Sequence, residues 1–195
     1  MDLMQKILVV DDDLVVLATI SMGLRQAGYQ VLQVDSGELA VQICKREAPE
    51  LAILDIRMPG MSGFEVAEIL RKKSKTPFIF LSAYSDEESV KSAKELGALG
   101  YLVKPVEIKH LVPAIEVALA RAEQLAKLED ANANLAVAME TSREIDVAIG
   151  IVIQRHRLSR ADAFKTLRDY ARSQRCKIDA MAQRVIAGED IPLGC

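Results

Sequence analysis

The stretch Ile7-Leu8-Val9-Val10-Asp11-Asp12-Asp13 joins an unbroken apolar run to three consecutive carboxylates. Such a run, ended by turn-forming acids, reads as a parallel strand buried on both faces. Four more runs have the same form: Gln30-Val31-Leu32-Gln33-Val34, Leu51-Ala52-Ile53-Leu54, Phe78-Ile79-Phe80-Leu81 and Tyr101-Leu102-Val103. Between them the apolar residues fall at helical spacing. Leu14, Leu17, Ile20, Met22 and Leu24 precede a stop at Gly28; Leu39, Ala40, Ile43 and Cys44 follow. Phe64, Val66, Ala67 and Leu70 come next, then Val90, Ala93 and Leu96 before Gly97, with Ser85 and Glu88 spaced as a capping box for that last helix. Strands alternating with helices predict βαβ units and an α/β fold, a doubly wound five-stranded parallel sheet.

In such sheets ligands bind beyond the carboxyl ends of the strands. There the sequence delivers Asp11, Asp12 and Asp13 after the first strand, Asp55 after the third, Ser82 after the fourth and Lys104-Pro105 after the fifth. Gathered carboxylates repel one another and call for a cation or a raised pKa. Mg2+ suits them, since it takes oxygen ligands and keeps several waters. An aspartate there can act as a nucleophile towards phosphorus, with Lys104 neutralising and Ser82 hydrogen-bonding the phosphoryl oxygens. Each residue taken alone also reads blandly, Asp as a turn former and Lys104 as a solvated cation; the order and spacing of the set carry the reading. No G-x-G-x-x-G follows the first strand, which argues against a dinucleotide site.

At 195 residues, half of them apolar and 27% charged, with a mean hydropathy of +0.13, the chain has the composition of a globular protein with a real core. No apolar run reaches the ~18 residues of a membrane span, and Met1-Asp2-Leu3-Met4-Gln5-Lys6 lacks the order of a signal peptide, so a cytoplasmic location is expected. Cys44, Cys176 and Cys195 form no metal or redox pair; Cys44 reads as core. The charge is unevenly spread. Residues 1–122 and 123–140 are each −3, residues 141–187 carry 10 Lys and Arg against 5 Asp and Glu, and 188–195 is −2. An acidic front and a basic back point to a polyanionic partner for the back.

The Asp triplet, Asp55-x-x-Met58-Pro59-Gly60, Ser82-Ala83 and Lys104-Pro105 together resemble the flavodoxin-like receiver domain of bacterial two-component response regulators, over residues 1–122. The resemblance implies that Asp55 accepts a phosphoryl group from a sensor histidine kinase. It further implies that Asp11, Asp12, Asp55 and the backbone carbonyl of Arg57 hold Mg2+, and that Ser82, Tyr101 and Lys104 stabilise the phosphoryl group and relay its presence. The chain then reads as a regulator, not an enzyme.

Beyond Val106 the pattern becomes helical for about forty residues. Leu111, Ile115, Ala118, Ala122, Leu125, Leu128, Asn132, Leu135 and Met139 step by four and three, a coiled-coil seam with one stammer and a polar register residue at Asn132. The seam predicts a homodimer through a linker helix at 123–140; a helix packed only on its own sheet domain is the other reading. Residues 141–187 then predict a small all-α bundle. Ile145, Ala148, Ile149 and Val152 form one face; Ser159 caps a second helix with Ala163, Phe164, Leu167 and Ala171 inward; Ile178, Met181, Ala182, Val185 and Ile186 form a third. Gly150 within a helix suggests close packing. Around this core lie Arg143, Arg155, Arg157, Arg160, Arg168, Arg172 and Arg175, candidates for phosphate contact because guanidinium groups bind phosphate in bidentate fashion.

Arg143-x-x-Asp146-x-Ala148-x-Gly150-Ile151, His156-x-Leu158-Ser159-x-x-x-Ala163-Phe164-x-x-Leu167-Arg168-x-x-Ala171 and Ile178-x-x-x-Ala182-x-x-Val185-Ile186 resemble the ANTAR domain, with 188–195 left as a tail. That family implies binding of RNA hairpins in nascent leader transcripts and transcription antitermination. Two rivals stand beside it: a DNA-binding response regulator, although no helix starts with the Asn, Gln and Arg of a major-groove reader, and a receiver with a protein-interaction output.

Overall fold

The computed structural model describes residues 4–83 and 86–192. The chain divides into two compact units between Ala126 and Lys127. In the first, β1 (Lys6–Val10), β2 (Gln30–Val34), β3 (Leu51–Asp55), β4 (Phe78–Ser82) and β5 (Tyr101–Val103) form one parallel sheet in the order β2-β1-β3-β4-β5. The helices between them are α1 (Leu14–Gln26), α2 (Gly37–Glu47), α3 (Gly63–Lys73) and α4 (Glu87–Leu96).

Successive strand residues point to opposite faces, which sorts the core into two layers. Ile7, Val9, Ile53, Ile79 and Leu81 meet Leu17, Ile20 and Leu24 of α1 on one face. On the other, Leu8, Val10, Ala52, Leu54, Phe78 and Phe80 meet Ala40 and Cys44 of α2, Val66, Ala67 and Leu70 of α3 and Ala93 of α4. Phe80 packs edge-on against Phe64 and Phe78, at 5.0 and 5.5 Å between ring centroids. Burial pushes the Cys44 thiol up to about 11, against a weaker pull from its Thr76 hydrogen bond, so it is a protonated core residue at neutral pH. Leu14, Met22, Leu39 and Val90, expected inward, are exposed, because a single stripe of each helix reaches the sheet. Ser85 lies outside the described residues. The N-cap of α4 is Asp86, which accepts from the Ser89 backbone N–H at 2.8 Å.

The helix α5 (Ile108–His156) is continuous from the sheet domain through the linker and into the bundle. Its first seam residues, Leu111, Ile115 and Ala118, are buried against β1, β3, β4 and α1. That stretch, expected to belong to the coiled coil, therefore packs on its own sheet, and the unpartnered seam starts later. Every residue from 123 to 140 is exposed.

In the second unit, Ala148, Ile149 and Val152 of α5 pack with Ala163, Leu167 and Ala171 of α6 (Arg160–Ser173) and Met181, Ala182 and Val185 of α7 (Ile178–Ile186). Ser159 caps α6 as expected, accepting from the Asp162 N–H at 3.2 Å. Three expectations fail here. Phe164 is 40% exposed, because the small Ala163 takes the inward position and leaves no room for a ring. Ile186 is exposed too. Residues 188–192 are no loose tail: Ile191 is buried in the bundle, and Arg184 grips the Glu189 carboxylate with two hydrogen bonds of 2.6 Å.

Close packing does not explain Gly150 either, since a Cβ there would meet nothing within 4 Å. Gly150→Ala is therefore expected to stabilise the bundle by ~0.5–1 kcal/mol, the helix-propensity difference. Urea denaturation checks this, and a loss of stability would show that the position is crowded in solution.

Candidate functional site

The strand order reverses between β1 and β3, and that is where a doubly wound sheet opens its ligand crevice. Asp55 is the last residue of β3, Asp11 and Asp12 follow β1, and Ser82 ends β4. All three acids come together, with one carboxylate oxygen from each within 4.8 Å of the others. Asp11 is 1% exposed and Asp55 5%, while Asp12 faces solvent. Asp13, the third acid of the triplet, turns away to cap α1, accepting from the N–H groups of Val15 at 2.8 Å and Val16 at 3.2 Å. Its own N–H donates to Asp11 Oδ1 at 3.1 Å, fixing that carboxylate.

Lys104 reaches this cluster from the far edge. Its backbone N–H donates to the Ser82 carbonyl at 2.7 Å, the Lys104–Pro105 bond is cis, and its Nζ lies 2.6 Å from Asp11 Oδ2 and 2.9 Å from Asp55 Oδ1. Burial alone pulls the Lys104 ammonium down, but the hydrogen bonds and charges of Asp11 and Asp55 outweigh it and hold the group above its ordinary value. Burial likewise raises the Asp55 carboxyl; Lys104 opposes this, and Asp11 and Asp12 add to it, so the net direction is up. Lys104 Nζ is the contact of Asp11 Oδ2, and one ammonium between two buried carboxylates with a third beside them leaves a net negative cluster of oxygen donors, the chemistry that a hard divalent cation fits.

Of the other receiver candidates, Ser82 is buried and Tyr101 half-buried on β5, the edge strand next to β4. Arg57 is exposed two residues past Asp55; the Asp86 carboxyl is held below its ordinary value by hydrogen bonds from the Ser89 N–H and hydroxyl, with the Arg57 charge a minor contribution. Gly63 was missed by the sequence reading. A methyl group there would collide with the Asp55 backbone carbonyl, so only glycine lets α3 start this close to the site. An apolar groove of about 350 Å³ opens beside Lys104, lined by Val15, Val16 and Thr19 of α1 and by Pro105 and Val106.

In the second unit the arginines are of two kinds. Arg155 donates to the Glu189 carbonyl at 2.8 Å and pairs with Asp190 at 3.6 Å; Arg160 pairs with Asp146 at 2.6 Å. Arg168 lies 3.5 Å from Asp169 and over the Phe164 ring. No carboxylate partner is found for Arg143, Arg157, Arg172 or Arg175 among the described residues, and all four are exposed. Arg157 and Arg175 occupy the two interhelical turns with φ of +53°.

Among the described residues no helix is long and apolar enough to cross a membrane. The chain is 31% identical over 183 residues to the transcriptional regulatory protein PdtaR of Mycobacterium tuberculosis, covering 93% of this chain and 89% of that one. The chemotaxis protein CheY4 of Vibrio cholerae superposes with a TM-score of 0.57 at 32% identity, over 58% of this chain and 98% of its own. The signal receiver domain of a modulated diguanylate cyclase from Desulfovibrio desulfuricans gives 0.58 at 34% identity, over 62% and 98%. Residues 7–116 match the response regulator receiver domain and residues 133–186 the ANTAR domain. With the strand-end acids and Lys104 in one crevice of the first unit and a basic three-helix bundle forming the second, the chain belongs to the response regulators that carry a receiver domain followed by an ANTAR domain.

Proposed function

We propose that the protein is a phosphorylation-controlled RNA-binding regulator in which Asp55 accepts a phosphoryl group from a sensor histidine kinase and the ANTAR bundle binds RNA hairpins in nascent leader transcripts, favouring antitermination. The observation that carries the switch is the Lys104 ammonium between Asp11 and Asp55. An oxygen of the Asp55 carboxylate attacks phosphorus, the bond from phosphorus to the kinase histidine nitrogen breaks, and an acyl phosphate forms. Lys104 and the Ser82 hydroxyl are placed to hold the new phosphoryl oxygens, and Tyr101 on the adjoining strand is placed to respond. Mg2+, held by Asp11, Asp12, Asp55 and the Arg57 carbonyl, supplies positive charge to those oxygens when bound. The groove beside Lys104 and the exposed Val15 offer the kinase an apolar surface next to the acceptor.

For the output, Arg143, Arg157, Arg172 and Arg175 are the arginines without carboxylate partners and so are the readiest for phosphate. Arg155, Arg160 and Arg168 remain candidates at the cost of their present pairs. The linker helix at 123–140 pairs two copies into a homodimer.

Gel-shift competition tests the output. Hairpin RNA is expected to displace the protein from duplex DNA, and Arg172→Ala to weaken hairpin binding and flatten the slope of log K against log salt by ~1. Tighter binding to duplex DNA would favour the helix-turn-helix reading, and binding to neither would favour a protein-interaction output.

A further inference from the structure

We propose that Phe164 is a stacking platform for one unpaired base of the bound RNA, with the Arg168 guanidinium at its side and Arg172 further along the same helix face taking the neighbouring phosphates; this rests on the RNA-binding reading above. The four phenylalanines of the chain differ sharply in setting. Phe78 and Phe80 are buried in the receiver core and Phe64 packs edge-on to Phe80, whereas Phe164 stands 40% exposed on α6. The buried row of that helix is Ala163, Leu167 and Ala171. The next row, one residue on, is Phe164, Arg168 and Arg172, at i, i+4 and i+8, and so lies along one face.

A lone exposed apolar side chain needs no explanation by itself. This one is set among cations: the Arg168 guanidinium carbon lies 5.8 Å from the ring centroid, near the outer limit of a cation–π contact, so the ring is attended without being sealed. The competing Arg168–Asp169 pair, at 3.5 Å and open to water on both sides, is weak and readily exchanged for a phosphate. Lys165 adds to the positive charge of the same helix. An apolar ring with one guanidinium beside it and a second about two turns along the same helix face suits a polyanion that also presents flat apolar faces, which describes single-stranded RNA. What favours a polyanion over a protein partner is the charge of the surrounding unit, 10 Lys and Arg against 5 Asp and Glu over residues 141–187. Tyr170, the other aromatic of the bundle helices, packs against the bundle core, so Phe164 is the ring of α6 set out for stacking.

The test uses the full chain and a pool of RNA stem-loops with randomised loops, selected on the wild-type protein. The selected hairpin is then made with 2-aminopurine at each loop position in turn, alongside a fully paired duplex RNA of the same length. Expected are fluorescence quenching at one loop position on binding, loss of that quenching in Phe164→Ala with hairpin binding weakened about five- to hundredfold, and recovery of both in Phe164→Trp. The salt slope should stay unchanged in Phe164→Ala and fall by ~1 in Arg168→Ala. Should circular dichroism find Phe164→Ala unfolded, Phe164→Leu keeps the bulk without the π face and is expected to fold and bind weakly. Wild-type hairpin affinity in the folded Phe164 variants overturns the proposal, as does an equal loss on paired RNA, or a loss of association with a second protein while hairpin binding stays intact. A wild-type protein that binds no structured RNA overturns this proposal and the RNA reading together, whereas the other outcomes leave the RNA reading standing.

Discussion

Asp55→Asn is expected to abolish phosphoryl labelling of the protein by a small phosphodonor in the presence of Mg2+, a loss to background rather than a reduction. Asparagine keeps the shape of the side chain but has no anionic oxygen to attack phosphorus. The neighbouring acids have other work in this assignment: Asp13 caps α1, and Asp11 and Asp12 are the proposed metal ligands beside Asp55. Asp12→Ala is expected to raise the Mg2+ concentration that labelling needs, since one ligand is lost. Labelling of Asp55→Asn at the wild-type level, read by intact-protein mass spectrometry, sinks the assignment of the acceptor; unchanged metal dependence in Asp12→Ala sinks that of the ligand.

The same variant carries a pH signature. The Asp55 carboxyl titrates above its ordinary value in the folded protein, chiefly through burial. Between its unfolded and folded pKa the folded state holds the extra proton, so the ionised group costs stability once the pH rises through the folded value. Asp55→Asn should therefore be more stable than wild type at neutral pH, with the gain shrinking as the pH falls through that raised pKa. Lys104 keeps Asp11 as partner in the variant, so no cation is orphaned. Thermal unfolding at pH 7 and in mild acid measures the difference, and a variant less stable at pH 7 contradicts the burial argument.

The receiver half was legible because continuous apolar strands announce their own ends. The residue after each run is a polar one at the carboxyl edge, and Asp11, Asp55, Ser82 and Lys104 all came from that rule, at positions the structure draws together. Helix faces were harder. A period of 3.6 tolerates an error of one residue, and at Ala163-Phe164 it admits either side chain as the inward one. The bundle is closed by Ala148, Ala163, Ala171 and Ala182, and helices that approach through alanine leave no volume for a ring. Periodicity also says nothing about which surface a stripe meets, so Leu111, Ile115 and Ala118 looked like the start of a coiled coil while belonging to the receiver core. Ile191 lies in a short segment between Gly188 and Pro192, too short to show a period. The Ser62 and Glu65 capping box that starts α3 was readable as Ser-x-x-Glu and was overlooked.

Leu125→Asp combined with Leu135→Asp is expected to convert the protein from a dimer to a monomer while its receiver still takes phosphate. Leu125, Leu128, Leu135, Val137 and Met139 are all exposed on α5, and none meets a core within its own chain. An exposed helical stretch of this length is marginal in water unless its apolar face is covered. Both of its ends are already anchored, Leu111 and Ile115 in the receiver and Ala148 and Val152 in the bundle, so the helix persists and presents the stripe. In the proposed homodimer a second copy laid along it would cover the leucines on both chains at once, and Asn132 would face its counterpart and set register. Two aspartates per chain place four uncompensated charges in that seam, at ~3–5 kcal/mol each if fully buried and about tenfold in association constant per 1.4 kcal/mol, which is more than a short coiled coil can bear. The receiver core ends on α5 at Ala118, so Mg2+-dependent labelling of Asp55 should be unchanged in the variant. Multi-angle light scattering, with and without phosphodonor, decides the matter. A dimer of unchanged mass in the variant, or a wild-type monomer under both conditions, would remove the seam from the account and leave the leucines of α5 without a partner.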